Sequence, residues 1–454
     1  MKTQNPNSTT QITIKAIIVG VMILIMLIPV AMLQSMIRER MEYQQEAEAE
    51  VGSTWGGPQT VTGPILALPY EKTTGGKTEK GTAYFLPETL DIKGSVNTEI
   101  RSRTAHKMLL YKSILAFNGT FAQPDTESLG LKPEHIRWNE ASVYVGIRHL
   151  QGVQSRLSVE WNGVHYADAA SVNNRELTGS GLAVRIPLEE SKSVNEKIRF
   201  HFDLDLNGTG SLLFCPVGKE TTAHLQSEWE TVSFSGQALP VNRNLENGFT
   251  ADWKIFDFNR NYPQAWINGQ YAMSEFGFYS PVADSAFGAD LRFPLDHYQL
   301  SMRSVKYAIM FIALTFFVFF LVELLSHKRI HPIQYLLVSC GLVLFYSLLL
   351  ALSEHIGFDG AYLASAVAIV ILITAYSGSI LKKRSQTLRM GLFLTALYVY
   401  LYVMLQLEDM ALLFGSVGLF VALAIIMYVS RKINWYKNSN NLPVPEKQTE
   451  HPKE

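Results

Sequence analysis

Long apolar runs separated by short polar links dominate the C-terminal part of the chain. Five such runs cover residues 307–325, 335–352, 362–381, 391–407 and 410–429. Each has roughly 17–20 residues, about the length that a helix needs to cross the hydrocarbon core of a bilayer. None carries a charge near its middle, where a charge would be costly. Because helices of soluble proteins are rarely apolar on every side, the pattern predicts five membrane-spanning helices.

A sixth apolar run, residues 12–36, lies near the N-terminus and is interrupted by Lys15 alone. A cleaved signal peptide is the competing interpretation. The run is long, however, and a polar helical continuation follows it instead of a small-x-small cleavage site. We therefore predict an uncleaved first span, kinked at Pro29 because proline frees a backbone carbonyl inside the helix. The total predicted from sequence is six transmembrane helices.

Positive charge alternates along the links between these runs. Basic residues follow the first, third and fifth C-terminal runs: Lys328-Arg329, Lys382-Lys383-Arg384 and Arg431-Lys432. The other two links contain no Lys or Arg and carry acids instead: Glu354 with Asp359 in one, and Glu408-Asp409 in the other. The positive-inside rule then assigns the basic links to the cytoplasm. An even number of spans places both termini there as well. The chain is thus predicted to be a multi-pass membrane protein, in contact with the lipid bilayer.

The segment between the first two predicted spans has the pattern of a β domain outside the cytoplasm. Short stretches of alternating apolar and polar residues, separated by Gly and Asn turns, are typical of an antiparallel sandwich. The clearest stretches are residues 88–96, 142–147, 156–161, 182–186 and 198–206. One short helix is predicted at residues 104–110. The fold class is therefore α+β, with a large extracytoplasmic β-sandwich-like domain between the first and second membrane helices.

The predicted organisation has five parts. They are a disordered cytoplasmic N-terminus (1–11), the first transmembrane helix (12–36), a periplasmic β-rich domain with an N-terminal helical stalk (37–303), a five-helix transmembrane domain (304–436) and a disordered cytoplasmic tail (437–454). The net charge of −1 suggests no nucleic-acid partner. The two cysteines, Cys215 and Cys340, fall in different predicted parts, so a disulfide within one chain is not expected.

Motifs that would carry chemistry are sparse. Asp203-x-Asp205-x-Asn207-Gly208 resembles the start of a calcium-binding loop, but Phe214 stands where the signature needs Glu. A hairpin turn at Asn207-Gly208 explains the same residues. Cys215 could be a reactive thiol, although a lone cysteine after an apolar strand is more often buried and inert. We find no catalytic, cofactor-binding or metal-binding motif, and expect neither a cofactor nor enzymatic activity.

Ionisable residues at the ends of the membrane runs are the remaining candidates. Glu323 lies near the predicted cytoplasmic end of its run, and the others lie at predicted outer ends: Glu354, His355, Glu408 and Asp409. Such groups can carry protons or ions across a membrane. The alternative is that they are solvated loop residues or headgroup contacts, because transporters usually show polar or broken helices near the midplane.

Unusual strings across nearly the whole chain resemble the CreD family of bacterial inner-membrane proteins. They include Ser53-x-Trp55-Gly56-Gly57-Pro58-Gln59, Gly210-Ser211-Leu212-x-Phe214-x-Pro216-x-Gly218, Asn259-Arg260-x-x-Pro263-Gln264-x-Trp266, Phe319-Phe320-x-x-Glu323, His331-Pro332-Ile333-Gln334-Tyr335, Ser353-Glu354-His355-Ile356-Gly357-Phe358 and Leu405-Gln406-Leu407-Glu408-Asp409. Met410, where the family would have an aromatic residue, is a small departure. The resemblance implies a link to the CreBC two-component system, envelope integrity and colicin tolerance. It implies no defined reaction.

These observations favour a protein that maintains the cell envelope through contacts of its outer domain with periplasmic or envelope proteins. A transporter or ion-coupled channel using the acids at the helix ends is the alternative. An envelope enzyme is the third possibility, and it is the least supported because no nucleophile, dyad or metal cluster stands out.

Overall fold

The structure is a computed structural model that describes residues 8–74, 77–103, 106–177, 179–189, 197–271, 280–291, 297–326, 330–381, 383–407 and 410–431. The chain forms two compact units. The first, here called the membrane unit, combines Met1–Tyr43 with Leu295–Glu454, and the second, the β unit, is Gln44–Pro294. The helices are α1 (Ser8–Ile25), α2 (Leu27–Trp55), α3 (Pro281–Asp284), α4 (His297–Lys306), α5 (Ala308–Ser326), α6 (Pro332–Leu381), α7 (Arg384–Gln406) and α8 (Ala411–Ser430).

The first apolar run is a helix with a break near its centre. Helix α1 ends at Ile25, and α2 begins at Leu27. Pro29 lies four residues beyond Ile25, and its ring competes for the space of that carbonyl, so the break follows from the proline. The helix continues through the polar residues 37–55 as the predicted stalk. Helix α1 begins at Ser8, within the segment predicted to be disordered, and residues 1–7 lie outside the described part of the chain.

Six separate spanning helices are not what the structure contains, and this prediction is corrected. Among the described residues, three helices are long and apolar enough to cross a membrane: Thr13–Trp55, Pro332–Leu381 and Arg384–Gln406. The pair α4 and α5, bent by 44°, raises the number to four if it is one span. The second and third C-terminal runs are joined within α6, and the described apolar part of α8, Leu413–Ile425, is short. Runs counted from sequence alone therefore exceed the continuous helices.

Helix α6 folds back on itself. It has 50 residues, and its backbone leaves helical geometry at Gly357, with φ 75° and ψ 170°. This conformation is open essentially to glycine alone. A Cβ at Gly341 would lie 3.5 Å from the side chain of Ile373, although a straight helix would separate the two by about 48 Å. The rings of Phe345 and Tyr362 also meet, at 5.3 Å. The two halves of α6 therefore pack against each other as an antiparallel pair.

The β unit contains two large sheets. Their strands are β1 (Gln59–Thr74), β2 (Lys77–Phe85), β3 (Thr89–Arg103), β4 (His106–Phe121), β5 (Ser142–Ile147), β6 (Val159–Trp161), β7 (Val164–Tyr166), β8 (Ala169–Asn174), β9 (Gly179–Arg185), β10 (Ile198–Thr209), β11 (Ser211–Phe214), β12 (Glu220–Ser227), β13 (Val232–Gly236), β14 (Asn242–Asn244), β15 (Phe249–Phe256), β16 (Ala265–Ile267) and β17 (Phe287–Leu291). One sheet has the order β13-β17-β11-β1-β5-β9-β8, with β2 beside β1 and β16 beside β2. The other has the order β14-β15-β12-β3-β4-β10-β6-β7.

Both sheets are mixed, so the prediction of a purely antiparallel sandwich is wrong in one respect. Strand β1 pairs with β11 in parallel, and β12 pairs with β3 in parallel. The remaining ladders are antiparallel. Aromatic rings from both sheets share one apolar core: Phe117 of β4 lies 6.2 Å from Phe214 of β11 and stacks on Phe202 at 4.6 Å. The two sheets thus bury their apolar faces in a common cluster.

The predicted strands are present, although only residues 159–161 of the predicted 156–161 form one, and two further local predictions fail. Strand β10 alternates buried and exposed residues as its sequence indicates. The chain does not turn into a hairpin after Asn207-Gly208, however, because β10 and the following β11 belong to different sheets. The change of sheet takes place at Gly210, between the two strands. The helix predicted at residues 104–110 is also wrong from residue 106 onward, where β4 begins.

Candidate functional site

Glu323 is the centre of an enclosed polar cluster in the described part of the membrane unit. Its side chain lies on α5 and is 6% exposed. Lys15 of α1 forms an ion pair and hydrogen bond with Oε1. The backbone N–H of Ile330 donates to the same oxygen at 3.1 Å. The hydroxyl of Tyr335, on α6, donates to Oε2 at 3.1 Å. The carboxylate therefore ties α1, α5 and the start of α6 together.

This arrangement offsets the free-energy cost of placing an acid inside an apolar helix. An ionised carboxylate away from water is costly unless it is paired and hydrogen-bonded. Lys15 supplies the opposite charge, and Tyr335 and Ile330 occupy further acceptor positions. Lys15 was predicted from sequence only to interrupt the first run. A single cation in one apolar run and a single acid in another were the signal that could have predicted the pair.

Glu354 forms a second, more open cluster. Its carboxylate accepts a hydrogen bond from the Tyr298 hydroxyl at 3.0 Å and lies 3.9 Å from Nε of Arg40. His355, the next residue, is exposed. Tyr335 and Glu354 are 19 residues apart on α6, about 28 Å along a helix. The structure thus keeps Glu323 and Glu354 at opposite ends of the first half of α6.

The last two predicted site residues, Glu408 and Asp409, lie outside the described residues. The acid that contacts α7 is Asp359, which was not among the predicted site residues. Its Oδ1 accepts hydrogen bonds from the Tyr402 hydroxyl and from Nε2 of Gln406, each at 3.0 Å. These contacts attach α7 to α6 close to the fold-back at Gly357.

A buried glutamine organises the start of the β unit. Gln59 is fully buried, and the two N–H bonds of its Nε2 are shared among three carbonyl oxygens, those of Gly56 at 2.8 Å, His149 at 2.9 Å and Asn207 at 3.1 Å. Its Oε1 accepts from the backbone N–H of His149 at 3.2 Å. One amide thereby joins the end of α2, the segment after β5 and the end of β10. We call this arrangement the Gln59 clamp, and its geometry is structural rather than catalytic.

Arg260 is a buried cation held mainly by neutral groups. It is 8% exposed. Its Nη1 donates to the carbonyls of Tyr262 at 2.6 Å and Pro263 at 3.1 Å, and Nη2 donates to the side chain of Gln264. Its guanidinium lies 4.3 Å from the centre of the Tyr262 ring. Burial lowers the pKa of Arg260 from its usual value. The guanidinium braces a loop, and this role again is architectural.

The chemical candidates that the sequence offered in the β unit lie in its core or in a strand. Cys215 is 1% exposed, and its Sγ accepts a hydrogen bond from Thr62 Oγ1 at 3.1 Å. Burial raises the pKa of this thiol to about 12, so it is not a nucleophile at neutral pH. Among the described residues, no group of three or more His, Cys, Asp or Glu side chains could hold a metal ion. The calcium-loop hypothesis for residues 203–208 gains no support, since these residues form strand β10.

Comparison with known proteins agrees with the motifs. The family model described as "Inner membrane protein CreD" matches residues 11–436. A protein of that name from Escherichia coli (strain K12) is 32% identical over 424 residues, which cover 91% of this chain and 91% of that protein. The match thus includes both the membrane unit and the β unit.

Proposed function

We propose a non-enzymatic role in cell-envelope integrity for this chain, which belongs to the CreD family of inner-membrane proteins. In this proposal the β unit lies in the periplasm and contacts envelope components, and the membrane unit anchors it. Control by a two-component system is part of the same proposal. The observation that supports the proposal is a difference between the two units. Glu323, Glu354 and Asp359 accept hydrogen bonds from neighbouring helices, whereas the β unit offers a large folded surface.

The orientation rests on the basic links and on the fold-back of α6. Basic residues stand at both ends of α6, in the sequence Lys328-Arg329 before it and Lys383-Arg384 after it. Because the halves of α6 pack antiparallel, both ends can lie on one side of the membrane, and the positive-inside rule favours the cytoplasm. Helix α5 then ends in the cytoplasm, and the chain that precedes α4 lies on the periplasmic side. That chain is the β unit.

Complementation of a deletion strain tests the role. The full chain, a chain with residues 44–294 replaced by a short linker, and the pair Glu323→Gln and Glu354→Gln would be compared for leakage of dye and sensitivity to detergent. Immunoblots of membrane fractions check insertion. We expect the shortened chain to fail and the carboxamide variants to retain most of the activity. Failure of the carboxamide variants despite normal insertion would instead support the transporter alternative.

Cysteine accessibility tests the orientation independently. In a Cys340→Ser background, single cysteines placed at the exposed positions Gln237 and Arg243 of the β unit should react with a membrane-impermeant maleimide in intact cells whose outer membrane has been permeabilised. A cysteine at Ser385, next to the basic link, should react only after lysis. The reverse pattern would overturn the proposed topology.

A further inference from the structure

One face of the sheet that contains β12 carries rows of polar side chains. Residues opposite each other in neighbouring strands share a face of a sheet. Leu225 of β12 and Ala251 of β15 are fully buried, so the adjacent residues Gln226 and Thr250 point away from the core. Most polar groups on this outward face have partners. His224 Nδ1 lies 2.6 Å from Asp252 Oδ1, Thr222 donates to Asp91 at 2.8 Å, and Lys254 lies 2.7 Å from Glu220.

The last row toward the end of these strands is different. It consists of Ser95, Gln226, Thr250 and Asn244, which lie side by side on β3, β12, β15 and β14. Within the described part of the chain, the side chains of Ser95, Gln226 and Thr250 make no hydrogen bond to another protein group. We call these four residues the polar row. Unlike its neighbours, it leaves amide and hydroxyl groups available to a ligand.

A cavity of about 320 Å³ lies over the polar row. This volume is at the lower end of the range for small-molecule sites. Its wall is formed by the loop between β14 and β15. In that loop Gly248 has φ 106°, and a Cβ there would lie 2.2 Å from the carbonyl oxygen of Ser227, so the close approach of the loop to the end of β12 requires glycine.

The chemistry of the lining selects a class of ligand. Amides and hydroxyls can both donate and accept hydrogen bonds, which suits a ligand rich in hydroxyl groups. Glu228 and Glu246 add acceptors, and no Lys, Arg or His is among the lining residues. Two carboxylates without a cation disfavour phosphates, sulfates and carboxylates. Beside Ser95 in the same row is Ile114, which is 58% exposed and offers an apolar surface to the C–H face of a sugar.

We propose that the polar row and its cavity bind an uncharged oligosaccharide. The inference deepens the proposed envelope role, on which it rests, by naming the chemistry of the component that the β unit contacts. Binding would use the hydroxyl groups of one or two sugar residues at the cavity, and the rest of the glycan would extend across the outward face of the sheet.

A binding measurement tests the proposal directly. The full chain would be reconstituted in lipid nanodiscs, since the sugar headgroups of maltoside detergents would compete. Isothermal titration with a tetramer of N-acetylglucosamine would be compared with an acidic uronate tetramer of the same length. We expect saturable binding of the neutral tetramer and at least about tenfold weaker binding of the acidic one.

Variants connect the binding to the polar row. The double variant Gln226→Ala with Thr250→Val removes three hydrogen-bonding groups and should weaken binding about tenfold or more. Gln237→Ala, another exposed glutamine of the β unit that lies outside the cavity, is the matched control and should bind like the wild type. Both variants change exposed side chains, and circular dichroism verifies their fold.

Three results would overturn the inference: no saturable binding of the neutral tetramer, equal affinity for the acidic tetramer, or undiminished binding by the double variant. These outcomes differ from failure of the proposed function, which is decided in cells by the requirement for residues 44–294. If the β unit is needed in cells and the tetramer does not bind, the envelope role stands and the oligosaccharide ligand falls.

Discussion

The two units hold the buried groups described above with different partners. In the membrane unit, the enclosed acid Glu323 is met by a cation, Lys15, and by the hydroxyl of Tyr335. In the β unit, the buried Gln59 and the buried Arg260 are satisfied chiefly by carbonyl oxygens of the main chain. A carboxylate needs donors, whereas an amide nitrogen and a guanidinium need acceptors. The difference teaches that a buried acid in an apolar helix depends on one distant cation, whereas a buried donor among loops can use several carbonyls.

The largest effect should come from breaking the Gln59 clamp. Gln59→Ala would leave the carbonyls of Gly56, His149 and Asn207 buried without their donor, and we expect a loss of roughly 3–5 kcal/mol in the free energy of unfolding of the β unit. Labelling of Cys215 by a thiol-reactive dye during denaturation, in a Cys340→Ser background, measures this loss because Cys215 is buried in the native unit.

The matched control for the clamp is Gln237→Ala, which removes an exposed amide of the same unit. Its effect should stay within about 0.5 kcal/mol. If Cys215 becomes labelled at the same denaturant concentration in Gln59→Ala and in this control, the clamp contributes little to the free energy of unfolding. The contrast between the units is then weaker than the geometry suggests.

The charged cluster of the membrane unit should give the next largest effect. Lys15→Met leaves Glu323 without its cation, and we expect a loss of about 1–3 kcal/mol, below the cost for a fully buried pair because the Lys15 side chain is 36% exposed. Adding Glu323→Gln should restore part of the loss, since the unpaired charge is then removed. Heating the detergent-solubilised full chain and measuring the remaining monomer by size exclusion follows the change.

Arg40→Met is the comparison for the charged cluster. Arg40 lies 3.9 Å from Glu354, and its side chain is 54% exposed, so its removal should cost no more than about 0.5 kcal/mol. Equal losses for Lys15→Met and Arg40→Met, or further destabilisation on adding Glu323→Gln, would contradict the assignment of Lys15 and Glu323 as a structural pair.

The fold-back of α6 allows a third test. Gly357→Ala forces alanine into a backbone region that is nearly restricted to glycine, at a cost of about 1–3 kcal/mol. Gly360→Ala, three residues on within regular helix, is the control and should be neutral or slightly favourable. A disulfide between cysteines introduced at Gly341 and Ile373 reports the packing of the two halves in a Cys340→Ser background. It should form less readily in Gly357→Ala, and equal formation in both variants would show that the hairpin does not depend on Gly357.

Much of the fold that depends on neighbours along the chain was predictable from sequence. Strand β5 coincides with the predicted residues 142–147, and the apolar runs all lie in helices. Patterns of period two or of continuous apolarity specify such elements by themselves. The parallel pairings of β1 with β11 and of β12 with β3 were not predictable, because they join strands distant in sequence. The hairpin turn predicted at Asn207-Gly208 was wrong for the same reason. The carbonyl of Asn207 is bound by Gln59, 148 residues away, and the chain continues to the other sheet.

The candidate site was likewise predictable only where it depends on local sequence. Glu323 and Glu354 were identified from sequence because acids next to apolar runs are rare. Their partners were missed. Lys15 is 308 residues from Glu323, and Tyr298 is 56 residues from Glu354, so neither contact leaves a local pattern. Whether these acids matter beyond stability stays a prediction for the complementation experiment.

The smallest expected effect concerns pH and the Gln59 clamp. Burial, aided by the charge of Arg148, lowers the pKa of His149 from its usual 6.5. Below about pH 6.5 the unfolded chain therefore binds a proton at His149 more readily than the folded chain does. Stability should fall as pH decreases through 6.5 and level off below the lowered pKa of the folded state. Protonation would also put a positive charge beside the imidazole's close neighbour Gly57.

Denaturation of the full chain at pH 7 and pH 5, followed by tryptophan fluorescence, measures this dependence. His149→Gln keeps a polar side chain, removes the titrating group and serves as the reference. All other histidines are common to both proteins, so the difference between the two isolates His149. We expect a small additional loss of stability at pH 5 in the wild type only. A larger loss in His149→Gln would mean that protonated His149 strengthens the Gln59 clamp. The carbonyls around the clamp would then tolerate a positive charge, as the carbonyls around Arg260 do.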